Sequence, residues 1–221
     1  MLIALIGMSG SGKSLWSGRL AENGFSRFCC DDLITERLSG ELKRADGSRM
    51  ELGEWMGFPF EEGYEQREEL YLAREKEVLA EVLDWIESRS APCSAAEINA
   101  VVDTTGSVIY TGESLLGRLK SLTTIVSFTS PPEVREAMLR QYLANPRPVL
   151  WRGLFSRMAA ESNEKALLRS YGLLLESREW LYHELADIEL DFHTRNDPGF
   201  TVSRLIGLVE KADREKRCRN G

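Results

Sequence analysis

Residues 7–14 read GMSGSGKS, and few stretches of eight residues leave a chain so little freedom. An apolar run, LIALI, precedes the glycines and reads as a buried strand; helical spacing begins at Lys13. A strand, a glycine-rich turn and a helix in direct succession form a concave row of backbone N–H groups. Side chains would block an anion approaching that row, so glycine is favoured at Gly7, Gly10 and Gly12. The positive end of the following helix points at the same place. The pattern G-x-x-x-x-G-K-[ST] is matched at every fixed position, and its chemistry is the binding of a nucleoside triphosphate. Gly7, Ser9, Gly10, Ser11, Gly12, Lys13, Ser14 and Leu15 are the expected nucleotide contacts. Lys13 would reach the outer phosphates, and the Ser14 hydroxyl would ligate Mg²⁺.

Five apolar runs bounded by turn residues predict strands over 2–6, 25–30, 98–102, 123–128 and 188–192. Between them, helical spacing predicts helices over 13–22, 33–38, 64–88, 132–144, 163–185 and 202–214. Strands alternating with helices imply an α/β fold, with five parallel strands and helices on both faces. All 221 residues are expected to form one domain. Two regions leave the sheet: a substrate-binding lobe over about 33–70 and a lid over about 140–165. A net charge of −7 argues against a nucleic-acid partner, and no apolar run is long enough for a membrane span. Cys29, Cys30, Cys93 and Cys218 form no C-x-x-C pair, which suits reduced thiols in the cytoplasm. His183 and His193 have no nucleophile or second ligand at a telling spacing, so both read as structural. Nothing in the chain decides between monomer and homodimer.

Three further constellations carry chemistry. In FCCDDLITERLSG a predicted strand hands over to a helix, 18 and 19 residues beyond Lys13. A carboxylate there faces the phosphate loop across the sheet edge. Asp32 is the candidate to orient an acceptor hydroxyl, and Asp31 to support Mg²⁺; both could instead cap the helix. The apolar strand ending in Asp103 fits a carboxylate that holds Mg²⁺ through water, or else a plain turn residue. Arg140, Arg147, Arg178 and Arg195 are cations suited to phosphates or carboxylates, since guanidinium stays charged and bridges two oxygens. Trp55, Phe58 and Phe60 wall a pocket or plug the base of the lobe.

Taken together, the phosphate loop and these stretches resemble the shikimate kinase family of P-loop kinases. The resemblance implies ATP and Mg²⁺ as cofactors and a small hydroxyl-bearing acceptor, shikimate or a shikimate-like carboxylated polyol. Asp32 falls on the family aspartate that touches the acceptor hydroxyl, while Cys30 replaces its metal-supporting aspartate, leaving Asp31 or Asp103 to serve. Gly106 alone remains of a triple glycine that lies along the acceptor; Thr104, Thr105 and Ser107 surround it. RPVL places Arg147 on the lid arginine that approaches the phosphates, and Arg140 on the one that stacks on adenine. REWLY places Arg178 on the arginine that binds the acceptor carboxylate. TRNDPG, with Arg195 and Pro198, resembles the loop that closes over adenine. A second acceptor arginine is replaced by Leu72, with Tyr71 and Glu75 beside it; Arg67 and Arg74 are the nearby candidates to substitute. The implied catalytic set is Lys13, Asp32 and Arg147. Rivals are a nucleoside or nucleotide kinase and a nucleotide-binding module without transferase activity. The absence of an N/T-K-x-D tetrapeptide excludes the usual guanine-reading GTPase.

Overall fold

The computed structural model describes residues 1–90 and 98–220; Cys93 lies outside them. Five parallel strands form the sheet: β1 (Leu2–Gly7), β2 (Ser26–Cys29), β3 (Ala100–Asp103), β4 (Thr124–Phe128) and β5 (Ile188–Leu190), in the order β2-β3-β1-β4-β5. All five predicted strands are present, with ends differing by up to two residues. The nine α-helices are α1 (Lys13–Glu22), α2 (Cys30–Arg37), α3 (Leu52–Met56), α4 (Tyr64–Ser90), α5 (Glu113–Leu122), α6 (Pro132–Ala144), α7 (Asn163–Leu185), α8 (Phe192–Asn196) and α9 (Val202–Asn220) among the described residues.

Alternation along β1 divides the core in two. Ile3 and Leu5 face Trp16 and Leu20 of α1 and Leu205 and Val209 of α9. Ala4 and Ile6 face the other way, toward a larger cluster that includes Ile34, Leu79, Leu83, Leu119 and Leu174. Strands buried on both faces read as continuous apolar runs, which is why they were legible.

The helix α5 was not expected. Its sequence, ESLLGRLKSL, carries a glycine in mid-helix, but the parallel step from β3 to β4 requires a crossover that a helix supplies. The early start of α2 matters more for function. It begins at Cys30 rather than at 33, so Asp31 and Asp32 lie within its first turn and neither is the N-cap, which is Cys29. Successive helical residues point about 100° apart, so the two carboxylates diverge.

Because β1 sits between β3 and β4, the chain leaves it on one side and returns on the other. The crevice at the carboxyl ends of these strands is where such sheets bind ligands. The loop after β1, the start of α2 after β2 and Asp103 at the end of β3 all lie at that edge.

Candidate active site

The loop between β1 and α1 has the backbone its glycines predict. Gly7, Gly10 and Gly12 have φ of +134°, +81° and +96°. A Cβ on Gly7 would stand 2.7 Å from the Phe128 carbonyl, so β4 packs directly on the loop's base. Gly12 is the N-cap of α1. Ser11 Oγ is buried without a hydrogen-bond partner, as a donor reserved for a phosphate oxygen would be. Ser14 and Leu15 are exposed at the start of α1.

Lys13 is buried, and its ammonium donates to the carbonyls of Gly7 (2.9 Å) and Met8 (3.1 Å). Burial lowers its pKa; Asp31 and then Asp103 oppose this, while Arg178 and Arg147 add to it. The carboxylates that act on Lys13 are thus Asp31 and Asp103. Asp31 keeps an exposed surface, yet the protein around it raises its pKa against the pull of Lys13 and Tyr71. The Tyr71 hydroxyl donates to Asp31 Oδ1 at 3.2 Å. Asp32 turns toward Cys29, whose thiol is pushed up to about 12 chiefly by burial, and lies in the field of Arg27. Asp32, the candidate for the acceptor hydroxyl, thus turns away from Lys13, and one position earlier on the helix Asp31 is the carboxylate that acts on it.

Asp103 is buried at the end of β3, beside Leu5 of β1. One of its oxygens accepts from Ser17 Oγ (2.8 Å) and Arg27 Nη2 (3.1 Å), and Arg27 Nε donates to Ser17 Oγ (2.7 Å). Ser17 and Arg27 were not foreseen; their one signal was the single turn that separates Ser17 from Ser14.

Gly106 closes the floor. A Cβ there would meet the Ser9 amide at 3.1 Å and Arg178 Nη1 at 3.4 Å. Its carbonyl accepts from Arg178 Nη1 (3.1 Å) and Tyr182 Oη (2.5 Å). Arg178 is buried; its Nη2 donates to the Leu150 carbonyl at 2.5 Å, its Nε is unpartnered, and its guanidinium lies 5.4 Å from the Tyr110 ring centre. Beside it, buried Glu75 accepts from the Thr105 hydroxyl and from Ser107 Oγ (2.6 Å). Burial raises the Glu75 pKa to about 7 in spite of those two hydrogen bonds.

This edge, with its amide nest at the switch point of a β2-β3-β1-β4-β5 sheet, has counterparts among solved structures. The shikimate kinase from Acinetobacter baumannii, in complex with shikimate, matches at a TM-score of 0.61 and 20% identity, over 95% of this chain and 93% of that one. The enzyme from Bacteroides thetaiotaomicron matches at 0.60 and 19%, over 95% and 98%. That from Aquifex aeolicus matches at 0.58 and 21%, over 96% and 98%. The fold is that of shikimate kinase-like P-loop kinases. No family model and no curated protein sequence matches the chain.

Around this shikimate kinase-like frame the other arginines diverge. Arg147 is exposed, has no acidic partner among the described residues, and acts on Lys13. Arg140 is exposed on α6 and pairs with Glu136 at 3.1 Å. Arg195 was expected at the nucleotide but is buried, donating to the carbonyls of Ser11 (3.1 Å), Thr129 (2.6 Å) and Leu190 (2.9 Å). It braces the phosphate loop from beneath and presents no face to a base. Pro198 is exposed in the turn after α8.

Both arginines named as candidates near Leu72 are engaged elsewhere. Leu72 is buried in the core, Arg67 serves the carbonyls of Met56 and Glu62, and Arg74 pairs with Glu77. Phe58 and Phe60 stack at 5.4 Å, with Phe58 against Tyr142 and Phe60, still exposed, against Phe155, while Trp55 and Phe58 pack partly buried on the core. His183 and His193 pair with Glu189 and Glu133 at the surface.

Proposed function

We propose that the protein is an ATP-dependent phosphotransferase that moves the γ-phosphoryl group to a hydroxyl of a small polyol. The observation that carries this reading is the glycine-rich turn with left-handed Gly10 and Gly12, Lys13 buried within it and donating to the Gly7 and Met8 carbonyls, and the Asp31 carboxylate near enough to act on Lys13. The nest and Lys13 would hold the triphosphate, and Asp31, steadied by Tyr71, would orient the incoming hydroxyl and take its proton. Arg147, exposed, without an acidic partner among the described residues and near enough to act on Lys13, would close on the transferring group. Phosphoryl transfer asks mainly for positioning and charge stabilisation, and these groups supply both.

The Ser14 hydroxyl and the Asp103 carboxylate are hard oxygen donors that suit Mg²⁺. Among the described residues no three His, Cys, Asp or Glu side chains converge on a metal position. A nucleotide-borne Mg²⁺ needs only one or two protein ligands and neutralises phosphate charge when bound.

The acceptor is of the shikimate type in size and hydroxyl content, but its grip differs. Both Nη groups of Arg178 already serve backbone carbonyls, and the position of the second family arginine holds Leu72, buried in the core. Glu75 and Asp31 make this wall acidic. An acceptor carboxylate would meet one arginine at most, so hydroxyls carry more of the recognition.

The test is ADP release with Mg²⁺–ATP and a panel of shikimate, gluconate-like polyols and nucleosides. Lys13→Ala is expected to lose turnover by about two to three orders of magnitude with its circular dichroism unchanged. Wild-type turnover in that variant removes the mechanism, and turnover on nucleosides alone removes the polyol acceptor.

A further inference from the structure

The segment from Asn145 to Gly153 carries Arg147 and contains neither helix nor strand. Val149, Leu150 and Trp151 within it are nevertheless buried. Buried backbone polar groups outside regular structure must find partners elsewhere. Here they find them on the long helix of the acceptor lobe. The Tyr64 hydroxyl, in the first turn of α4, lies 2.7 Å from the Val149 carbonyl and accepts from the Trp151 N–H at 3.1 Å. It also lies 2.9 Å from Glu68 Oε1, and that oxygen accepts from the Arg152 N–H at 3.0 Å. Tyr64 and Glu68 are themselves buried. One hydroxyl thus serves a carbonyl and an amide two residues apart, and one carboxylate serves the next amide.

The other end of the segment is fitted just as closely. A Cβ on Gly53 of α3 would stand 1.8 Å from the Pro146 carbonyl oxygen and 2.9 Å from Arg147 Cα. Only glycine lets α3 lie against that backbone. Arg147 therefore has backbone pressed on α3 at its own Cα and backbone fastened to α4 two residues later. Its side chain has no partner among the described residues to hold it, so its placement comes from these backbone contacts.

We propose that Tyr64, with Glu68 and Gly53, latches the lid to the acceptor lobe and thereby fixes Arg147 over the phosphate loop. The inference rests on the role given above to Arg147 in phosphoryl transfer. Tyr64 is a positioning residue that acts through Arg147. Lid and lobe then move as one body, and an acceptor that shifts α3 or α4 carries Arg147 with it. A freely hinged lid would instead leave the amides of Trp151 and Arg152 to water and place no demand for glycine at position 53.

Two measurements test this together: amide hydrogen exchange over residues 147–153, and turnover in wild type, Tyr64→Phe, Arg147→Ala and the double variant. Tyr64→Phe keeps the ring and removes only the hydroxyl. It is expected to speed exchange at Trp151 by about tenfold or more. It should lower kcat by about tenfold with the ATP Kd changed less than about twofold. In the Arg147→Ala background the same change should cost less than about twofold in kcat, because its effect runs through Arg147. Unchanged exchange overturns the latch. Fast exchange with wild-type kcat, or an equal loss of kcat in both backgrounds, overturns the positioning role. If Tyr64→Phe fails to fold, Gly53→Ala, which must displace Pro146, is read against the same outcomes. Wild-type turnover in Arg147→Ala overturns the assigned role of Arg147 instead, and the exchange data, which need no turnover, keep the two failures apart.

Discussion

Asp31 and Asp32 are neighbours in sequence and opposites in placement. Asp31 reaches Tyr71 and acts on Lys13, whereas Asp32 lies against Cys29 and Arg27. Asp31→Asn should lower kcat by about 10²-fold or more, the scale of a lost general base, while Asp32→Asn stays within about threefold. Steady-state rates of the two purified variants check this, and the reverse ordering would return the role to Asp32. The sequence could not separate them, because their difference is one step of helix rotation and depends on where α2 begins. Glu75 makes a second prediction at this scale. Its pKa stands at about 7 instead of the ordinary 4.5, so the folded state holds that proton more tightly than the unfolded chain. The stability this confers is complete below 4.5 and is lost as pH rises through about 7. The difference corresponds to roughly 3 kcal/mol at most. Glu75→Gln should flatten the decline in stability between pH 5 and pH 8, measured by urea unfolding. Parallel pH profiles for the two proteins would contradict it.

At the scale of elements, the phosphate loop is held from both ends. Gly7 admits β4 against its base, and Arg195 ties the Ser11 carbonyl to the ends of β4 and β5. Burial lowers the Arg195 pKa to about 10, yet its guanidinium serves three carbonyls between the rings of Phe128 and Phe192. Hydrogen bonds from a charged donor contribute about 1.5–3 kcal/mol each. Arg195→Met should therefore lower the melting temperature clearly and raise the ATP Kd by about fivefold or more. An unchanged ATP Kd, read by isothermal titration, would show that the loop keeps its shape without the brace. The strands, the loop and the long helices were legible because apolar runs, glycines and helical spacing are local signals. Arg195 was legible as a position and not as a role, since burial under the loop is set by α8 meeting the ends of two strands. The crossover helix α5 was hidden by Gly117, and only the demand of parallel strands for a connection reveals it.

Across the whole molecule, the phosphate loop has the backbone its sequence implies, while Arg195 and the stretches expected around an acceptor are arranged otherwise. The loop glycines, Lys13 and Ser14 lie where their spacing puts them. Leu72 is lost to the core, Arg67 and Arg74 are spent elsewhere, and Glu75 with Thr105 and Ser107 fills the floor. Tyr71, Glu75 and Tyr182 stood in the stretches that carry the resemblance, but nothing local said that they would converge. The segment that bears Arg147 joins the two sides through Tyr64. The central claim is that these sides meet to pass a phosphoryl group from ATP to a hydroxyl. It is tested most directly by ³¹P NMR of the protein with Mg²⁺–ATP and a panel of small polyols that includes shikimate. The account predicts a new phosphate monoester resonance growing in step with ADP, abolished in Lys13→Ala and strongly reduced in Asp31→Asn. Tight ATP binding with no ester formed on any acceptor would contradict it.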